Sequence, residues 1–443
     1  MEQKTTSRRS FLTLAGLAPL AVWGLSACGT SGPGGDTGAA GTASMWSLTG
    51  PPGETIRKNS VDAFNKANAD AQVKLTFFQN DAFKTKIKTA IGAGEAPTMI
   101  YGWGGGGLKT YAQAEQVIDL TSWLEENPKV KDKLFPSAFG AATIDGKIYA
   151  LPNETVAPII LFINKTLFEK AGAQPPKTWD DMMALTKTFN DLGIAPISLA
   201  GQSRWTSMMW LELMFDRIGG PEVFNDIFAA KENAWSNPAA IEALTKIQDL
   251  VSANGFIKGF NSITADSNAD QALLYTGKAA MMLHGAWTYG GMKADGGDFV
   301  PGGNLGWVDF PTVAGGKGDP KNGVGNPGQY MSISAKATAE EQATAKKYFA
   351  EGLLSPAEVT AWIESGAVPI VVGIEDQLAA TADKDFLTYV YNTAKDAPNF
   401  QQSWDQALSP TAAEALLNNI DQLFTKSITP EKFASNMNAT LGQ

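Results

Sequence analysis

From residue 43 onward the apolar and polar positions fall into two alternating periods, and their alternation predicts the architecture. Residues 44–47 (SMWS) read as a short strand, broken by Pro51-Pro52-Gly53. Residues 54–66 then place Ile56, Val61 and Phe64 on one helical face. Residues 72–79 (QVKLTFFQ) return to strand composition, a helix is predicted over 82–91 with Asn80-Asp81 placed to cap it, and 97–101 form another apolar strand. Strand–helix–strand–helix order predicts an α/β fold, with a mostly parallel sheet covered by helices on both faces. In such sheets ligands gather at the carboxyl ends of strands. Those ends carry Ser47, Asn80-Asp81 and the glycine run 102–107.

The same rhythm continues. A short helix is predicted over 119–126 and a hairpin over 144–149, turning at Asp145-Gly146. The run 158–164 (PIILFIN) is a strand of a buried sheet, and a domain crossing is expected just before it, near Pro152. Two helices follow over 165–193, the second opened by Thr178 with Asp181 three positions on, then a strand over 196–200. Arg204-Trp205 opens a helix to Arg217, and 238–253 is amphipathic. Residues 279–283 form a strand, and Gly285-Ala286-Trp287 turns into a helix. Residues 305–310 are expected to be a second crossing strand, 315–328 a loop rich in Gly, Asn and Pro, and 329–334 a strand. After helices over 340–354 and 356–364, the chain reads as helical to its end, interrupted at Pro369, Pro398, Pro410 and Pro430.

The N-terminus follows different rules. Ser7-Arg8-Arg9-Ser10-Phe11-Leu12 is a twin-arginine export address, although Thr13 stands where many such signals carry Lys. The apolar run 13–24 is too short to remain as a membrane span and has signal-peptide flanks. Leu25-Ser26-Ala27-Cys28 closes it and resembles the bacterial lipobox, which implies that Cys28 is lipidated and becomes the new N-terminus; the alternative is an ordinary secretory signal whose cleavage site carries a cysteine. Residues 1–27 are therefore expected to be a signal peptide, and the Gly/Ser/Thr/Ala stretch 28–42 a lipid-anchored flexible linker holding the protein at the outer face of the cell membrane.

Composition narrows the chemistry. A chain of 443 residues suggests two or three domains. Its net charge of −10 argues against nucleic acid or an anionic membrane surface as partner. One cysteine and one histidine, Cys28 and His284, exclude an intrachain disulfide and a Cys/His zinc site, and no metal or cofactor is expected. His284 reads as a core residue, since no Gly-x-Ser-x-Gly elbow accompanies it. The glycine run lacks the Lys-Ser/Thr pair of a phosphate loop. Tryptophan is the outlier, at twelve residues.

Several segments, in order, carry a family resemblance. After the lipobox, the linker and the first strand–helix pair comes Gly146-Lys147-Ile148-Tyr149-Ala150-Leu151-Pro152 before a strand ending in Asn164-Lys165. Thr178-Trp179-Asp180, Gly277-Lys278-Ala279-Ala280-Met281 leading to Gly285-Ala286-Trp287, and Trp404 follow. In this order and spacing the chain resembles the family 1 extracellular solute-binding proteins of bacterial ABC importers, especially those that bind maltodextrins and xylo-oligosaccharides. The resemblance implies two α/β lobes of the type II periplasmic-binding-protein kind, 43–151 plus 312–355 and 152–311 plus 356–443, closing over a sugar in a hinged cleft. It also implies a monomer that hands an oligosaccharide to membrane permease subunits without chemistry of its own. A xylo-oligosaccharide is the expected ligand.

A sugar ring offers an apolar C–H face and a rim of hydroxyls, which flat aromatics and hydrogen-bonding side chains match respectively. The candidate contacts are Trp103 and Gly104 in the glycine run, Arg204-Trp205, Trp287 and Trp404-Asp405. Opposite them stand Ser47, Asn80, Asp81, Asn153, Glu154, Asn326 and Gln329. Trp46, Trp123, Trp179, Trp235, Trp307 and Trp362 are assigned to packing. The glycine run either brings backbone close to the ligand or is a flexible turn. A secreted glycoside hydrolase is the competing class, needing two carboxylates about 5–10 Å apart; Asp81, Glu154 and Asp405 are nominees that nothing in the sequence pairs. The same scaffold binding a polyol or an amino sugar is a third reading.

Overall fold

A computed structural model describes residues 41–443 of the protein. The expected signal peptide, Cys28 and all but the last two residues of the expected linker lie outside the described residues. The strands are β1 (Ala43–Leu48), β2 (Val73–Phe78), β3 (Met99–Gly102), β4 (Thr143–Ile144), β5 (Lys147–Ile148), β6 (Leu151–Asn153), β7 (Ala157–Asn164), β8 (Ala195–Ser198), β9 (Ala279–Gly285), β10 (Leu305–Val308), β11 (Gly323–Asn326), β12 (Gln329–Ile333) and β13 (Phe400–Gln402). They form two main sheets, β2-β1-β3-β12-β6 and β13-β11-β7-β9-β8 with β10 on β7, plus the small β4–β5 hairpin. Asp145 and Gly146 both hold positive φ at its turn, as a two-residue hairpin of the right twist requires.

Both sheets are mixed rather than mostly parallel. β1 runs parallel to β2 and β3, while β12 runs antiparallel to β3 and β6. In the second sheet β7 is antiparallel to β9, β10 and β11. The apolar run of β7 is nonetheless explained, because all eight of its residues are buried. Ile159, Leu161 and Ile163 enter one core, and Ile160 and Phe162 the other. A strand covered on both faces needs no polar alternation. The helix Trp205–Gly219 is likewise buried nearly all round, and its apolar residues belong to the second core.

The passages between sheets differ from expectation in three places. β6 pairs with β12 in the first sheet, so the chain first crosses at Glu154–Val156 rather than at Pro152. β11 belongs to the second sheet, which puts the return at Pro327-Gly328 instead of residue 312. The helix Pro356–Glu364 packs with the first lobe through Trp362, whose ring lies 5.6 Å from the Arg57 guanidinium of α1 (Gly53–Ala67), so this stretch joins the first lobe rather than the second. The chain then runs back beside the first crossing, where Val156 N–H donates to Val368 and Ile370 N–H to Glu154.

Two strands were hidden by composition. β11 lies in the stretch expected to be a loop, and β13 in the tail expected to be helical. Glycine is required in β11: Gly325 holds φ +147°, and a Cβ there would stand 2.3 Å from the Ala157 carbonyl oxygen. Turn-forming residues here permit close strand pairing. Helix signals fared better. Thr178 and Asp181 form the reciprocal capping box. Asn80, by contrast, is the first residue of α2 (Asn80–Ala93) and caps nothing; Gln79 precedes it without a side-chain bond.

Gly325→Ala should detach β11 from β7 and cost about 1–3 kcal/mol of stability, read as a lower urea midpoint. An unchanged midpoint would show that β11 accepts a side chain.

Candidate functional site

The carboxyl ends of β1 and β3, the start of α2 and the three crossings converge on a space between the lobes. A cavity of about 480 Å³ there is lined by Asn80, Trp103, Glu154, Trp205, Trp287, Asn326, Gln329 and Asp405 among others. A second cavity, of about 810 Å³, adjoins it and is lined by Asp81, Gly104 and Arg204, sharing Trp103, Trp205 and Asp405 with the first. A larger groove, about 1360 Å³, runs along Phe135, Phe224, Phe228 and Phe400 and contains none of the expected contact residues.

The aromatic wall is built from both sheets. Trp103 follows β3 and packs edge-on against Tyr101 and Phe83. Trp205 begins its helix from the second lobe, its ring 6.1 Å from that of Trp287. His284, buried at the end of β9, is edge-on to both, at 5.4 and 5.3 Å. Its Nδ1 accepts from Gly285 N–H at 2.9 Å, and its Nε2 lies 3.2 Å from Asp270 Oδ2. The one histidine of the chain thus supports the indoles from beneath.

Polar groups cross the gap. Asp81 of the first lobe accepts from Ser203 Oγ at 3.0 Å and Trp205 Nε1 at 3.2 Å, both in the second, and Asn80 Nδ2 donates to it as well. Its backbone N–H reaches Asp266 Oδ2 at 3.2 Å. Burial, and then the charge of Asp81, raise the pKa of Asp266. Lys84 of α2 meets Asp405 at 3.1 Å. Gln402 Nε2 donates to the Trp103 carbonyl at 2.7 Å.

The glycine run is not a flexible turn, and Gly102, Gly104 and Gly107 of it line the larger of the two adjoining cavities. It opens α3 (Gly105–Gln113), and a Cβ on Gly104, Gly105 or Gly106 would stand within 2.5 Å of the carbonyl oxygens of Ala141, Gln406 and Leu408 respectively. Two of those carbonyls belong to the second lobe's chain, so the run lets backbone approach backbone.

Other expected residues are redirected. Glu154, 3% exposed and at φ +59°, gives both carboxylate oxygens to Arg57, at 2.5 and 2.7 Å. Burial opposes the Arg57 charge, but Glu154 more than offsets this and holds the guanidinium above its ordinary pKa. Ser47 and Asn153 are fully buried, line neither cavity, and their side-chain polar atoms have no hydrogen-bond partner among the described residues. Arg204 turns outward to Asn418 and Glu414. Gln329 accepts from Thr155 N–H, and Asn326 Oδ1 has no hydrogen-bond partner among the described residues.

Trp404 is a correction. It is 1% exposed and packs among Phe215, Phe224 and Trp235, with centroids 4.8–5.6 Å apart. Its neighbour Asp405 reaches the cavity because adjacent residues on a helical turn point different ways. Arg57, Lys84, Ser203 and Asp266 were missed. Each is a polar residue on an otherwise ordinary helix or turn, and only Ser203, next to Arg204-Trp205, had a signal nearby.

Two mixed sheets joined by crossing segments, with an aromatic and acidic cavity between them, define a two-lobe ligand-binding protein of the type II periplasmic kind. The description "Bacterial extracellular solute-binding protein" matches residues 47–359, and the chain belongs to that family. A probable sugar-binding periplasmic protein of Mesorhizobium japonicum is 29% identical over 229 residues, 50% of this chain and 52% of that one. The chain thus aligns with about half the length of that relative. A structure from work on xylan utilization by the thermophilic bacterium Caldanaerobius polysaccharolyticus superposes with a TM-score of 0.81 at 32% identity, covering 90% of this chain and 100% of that one. A chitin oligosaccharide binding protein shares the fold, with a TM-score of 0.80 at 22% identity over 90% and 98% of the two chains. No helix among the described residues is long and apolar enough to cross a membrane.

Trp404→Ala should cost about 3–5 kcal/mol of stability, as a core truncation does, while the folded fraction keeps its ligand affinity. Loss of affinity without loss of stability would return Trp404 to the site. Below Trp404 lies Glu212, fully buried and accepting from its backbone N–H at 2.5 Å. Burial raises the pKa of Glu212 well above the carboxylate range. A raised acid favours the folded state while protonated, so its contribution is present below the unfolded pKa and is lost as pH rises towards the folded one. Glu212→Gln should therefore flatten the fall in Tm from acid to mildly alkaline pH; an unchanged slope would mean that Glu212 is not protonated in the fold.

Proposed function

We propose that the protein is the solute receptor of an ABC importer, capturing an uncharged oligosaccharide between its lobes and delivering it to a membrane permease without chemical change. The observation that carries this reading is the cavity wall itself. Indoles from both lobes, Trp103 on one side and Trp205 and Trp287 on the other, line one space together with Asn80, Asp405 and Gln329. Stacked indoles cover sugar faces at low entropic cost, and amides and carboxylates satisfy the hydroxyls. A xylo-oligosaccharide is the favoured ligand, supported by the likeness to the xylan-utilization protein.

The hydrolase reading is disfavoured by what the nominated carboxylates already do. Glu154 is bound by Arg57, Asp81 by Ser203 and Trp205, and Asp405 by Lys84. A general acid must be free to hold and release a proton at the scissile oxygen. Export by the twin-arginine route, a lipid on Cys28, residence at the outer membrane face as a monomer and contact with permease subunits complete the proposal. They rest on the N-terminal motifs and on the family.

A thermal-shift panel of xylo-, malto- and chito-oligosaccharides tests it. A ligand at a hundred times its Kd should add about 2.7 kcal/mol of apparent stability, and the incubations should release no new reducing ends. Trp287→Ala should weaken the best ligand by about 2 kcal/mol or more. No shift with any sugar would overturn the sugar reading, new reducing ends would favour the hydrolase, and full affinity in the variant would misplace the site.

A further inference from the structure

Two cavities that share a wall invite the question of what separates them. Seven residues line both, Tyr101, Trp103, Trp205, Asp266, Asp405 and Gln406 with Lys84, and Lys84 is the one cation among them. Lys84 projects from α2 in the first lobe, and its ammonium lies 3.1 Å from Asp405 Oδ2 in the second. The same nitrogen stands 5.1 Å from the Trp103 ring centroid and 5.8 Å from that of Trp205. Lys84 lines both cavities, with Trp103 and Trp205 on either side of it. A turn earlier, Asp81 fixes the Trp205 indole through its N–H. A cation therefore occupies the slot between the two indoles, where a sugar ring would stack.

We propose that Lys84 is a specificity-determining residue that closes the inner cavity and sets how many sugar units the cleft accepts. This rests on the oligosaccharide-receptor reading. The inner space, about 480 Å³, is in the lower half of the range typical for small-ligand sites, and the outer one adds about 810 Å³. A chain that fills the inner cavity ends against the ammonium, to which its last hydroxyl can be an acceptor. A longer chain must push Lys84 aside. Doing so strips two cation–π contacts and leaves Asp405, whose side chain is 7% exposed, without its cation and with only the Gln406 amide at 2.7 Å. Further sugar units then gain stacking only by breaking these contacts, so affinity stops rising with length.

The test is calorimetric titration of the full protein with xylo- and malto-oligosaccharides from disaccharide to hexasaccharide. For wild type the affinity should rise and then level off at one short length. In Lys84→Ala the two cavities merge, and affinity should keep rising beyond that length, by about tenfold for the longest member. Lys84→Arg, which retains both charge and bulk, should restore the plateau. It also serves as the control if the Ala variant proves unstable. The same plateau in Lys84→Ala, or a steady rise through long chains in wild type, overturns the role of Lys84 while leaving the sugar reading intact. Failure of wild type to bind either series overturns both.

Discussion

A buried ion pair sits where the chain first leaves one sheet for the other. Glu154 takes a left-handed backbone conformation there and gives both carboxylate oxygens to Arg57 of α1, while Tyr101 lies against the same carboxylate. Removing either partner would strand a buried charge, at a cost of about 3–5 kcal/mol. Such a pair is therefore an effective fixed point. It ties the crossing to the first lobe, and the antiparallel return at Val368–Ile370 is hydrogen-bonded to the same segment. Glu154 and Thr155 thus line the cavity at a point fixed to α1, and the indoles stand on either side of it.

Across the cavity the walls meet through polar contacts. Asp81 with Ser203 and Trp205, Lys84 with Asp405, and Gln402 with the Trp103 carbonyl all span the gap. The glycine run at the start of α3 removes the side chains that would keep the lobes' backbones apart. Polar contacts of this kind contribute little net free energy each, because water replaces them when they break. A cleft held shut by such bonds can exchange them for hydroxyl contacts with a ligand, which suits a receptor that must both close and release. The two cores, by contrast, are apolar and densely packed, with Trp404 and Trp210 in one and Phe83 and Tyr348 in the other.

Helices and buried strands were legible in the sequence because their signals are local. The capping box at Thr178, the Asp-Gly hairpin and the unbroken apolar run of β7 each specify a conformation within a few residues. The family, too, was legible from the order of short motifs. Strands β11 and β13 were not, since their formation depends on partners far along the chain. A glycine that permits close pairing looks the same in sequence as one that forms a turn. Lobe boundaries moved for the same reason: sheet membership is a long-range property.

The sequence by itself determined which residues carry stacking or hydrogen-bonding groups suited to a polar ligand, and most of those nominated do line the space between the lobes. It could not decide what each was already bound to. Glu154 was claimed by Arg57, ninety-seven residues away, and Trp404 by a core assembled from three other segments. Lys84, an unremarked cation on a surface-patterned helix, became central only when Trp103, Trp205 and Asp405 closed around it. Chemical capacity belongs to the residue type and can be read locally. Its use depends on distance, burial and competing partners, which exist only once the chain has folded.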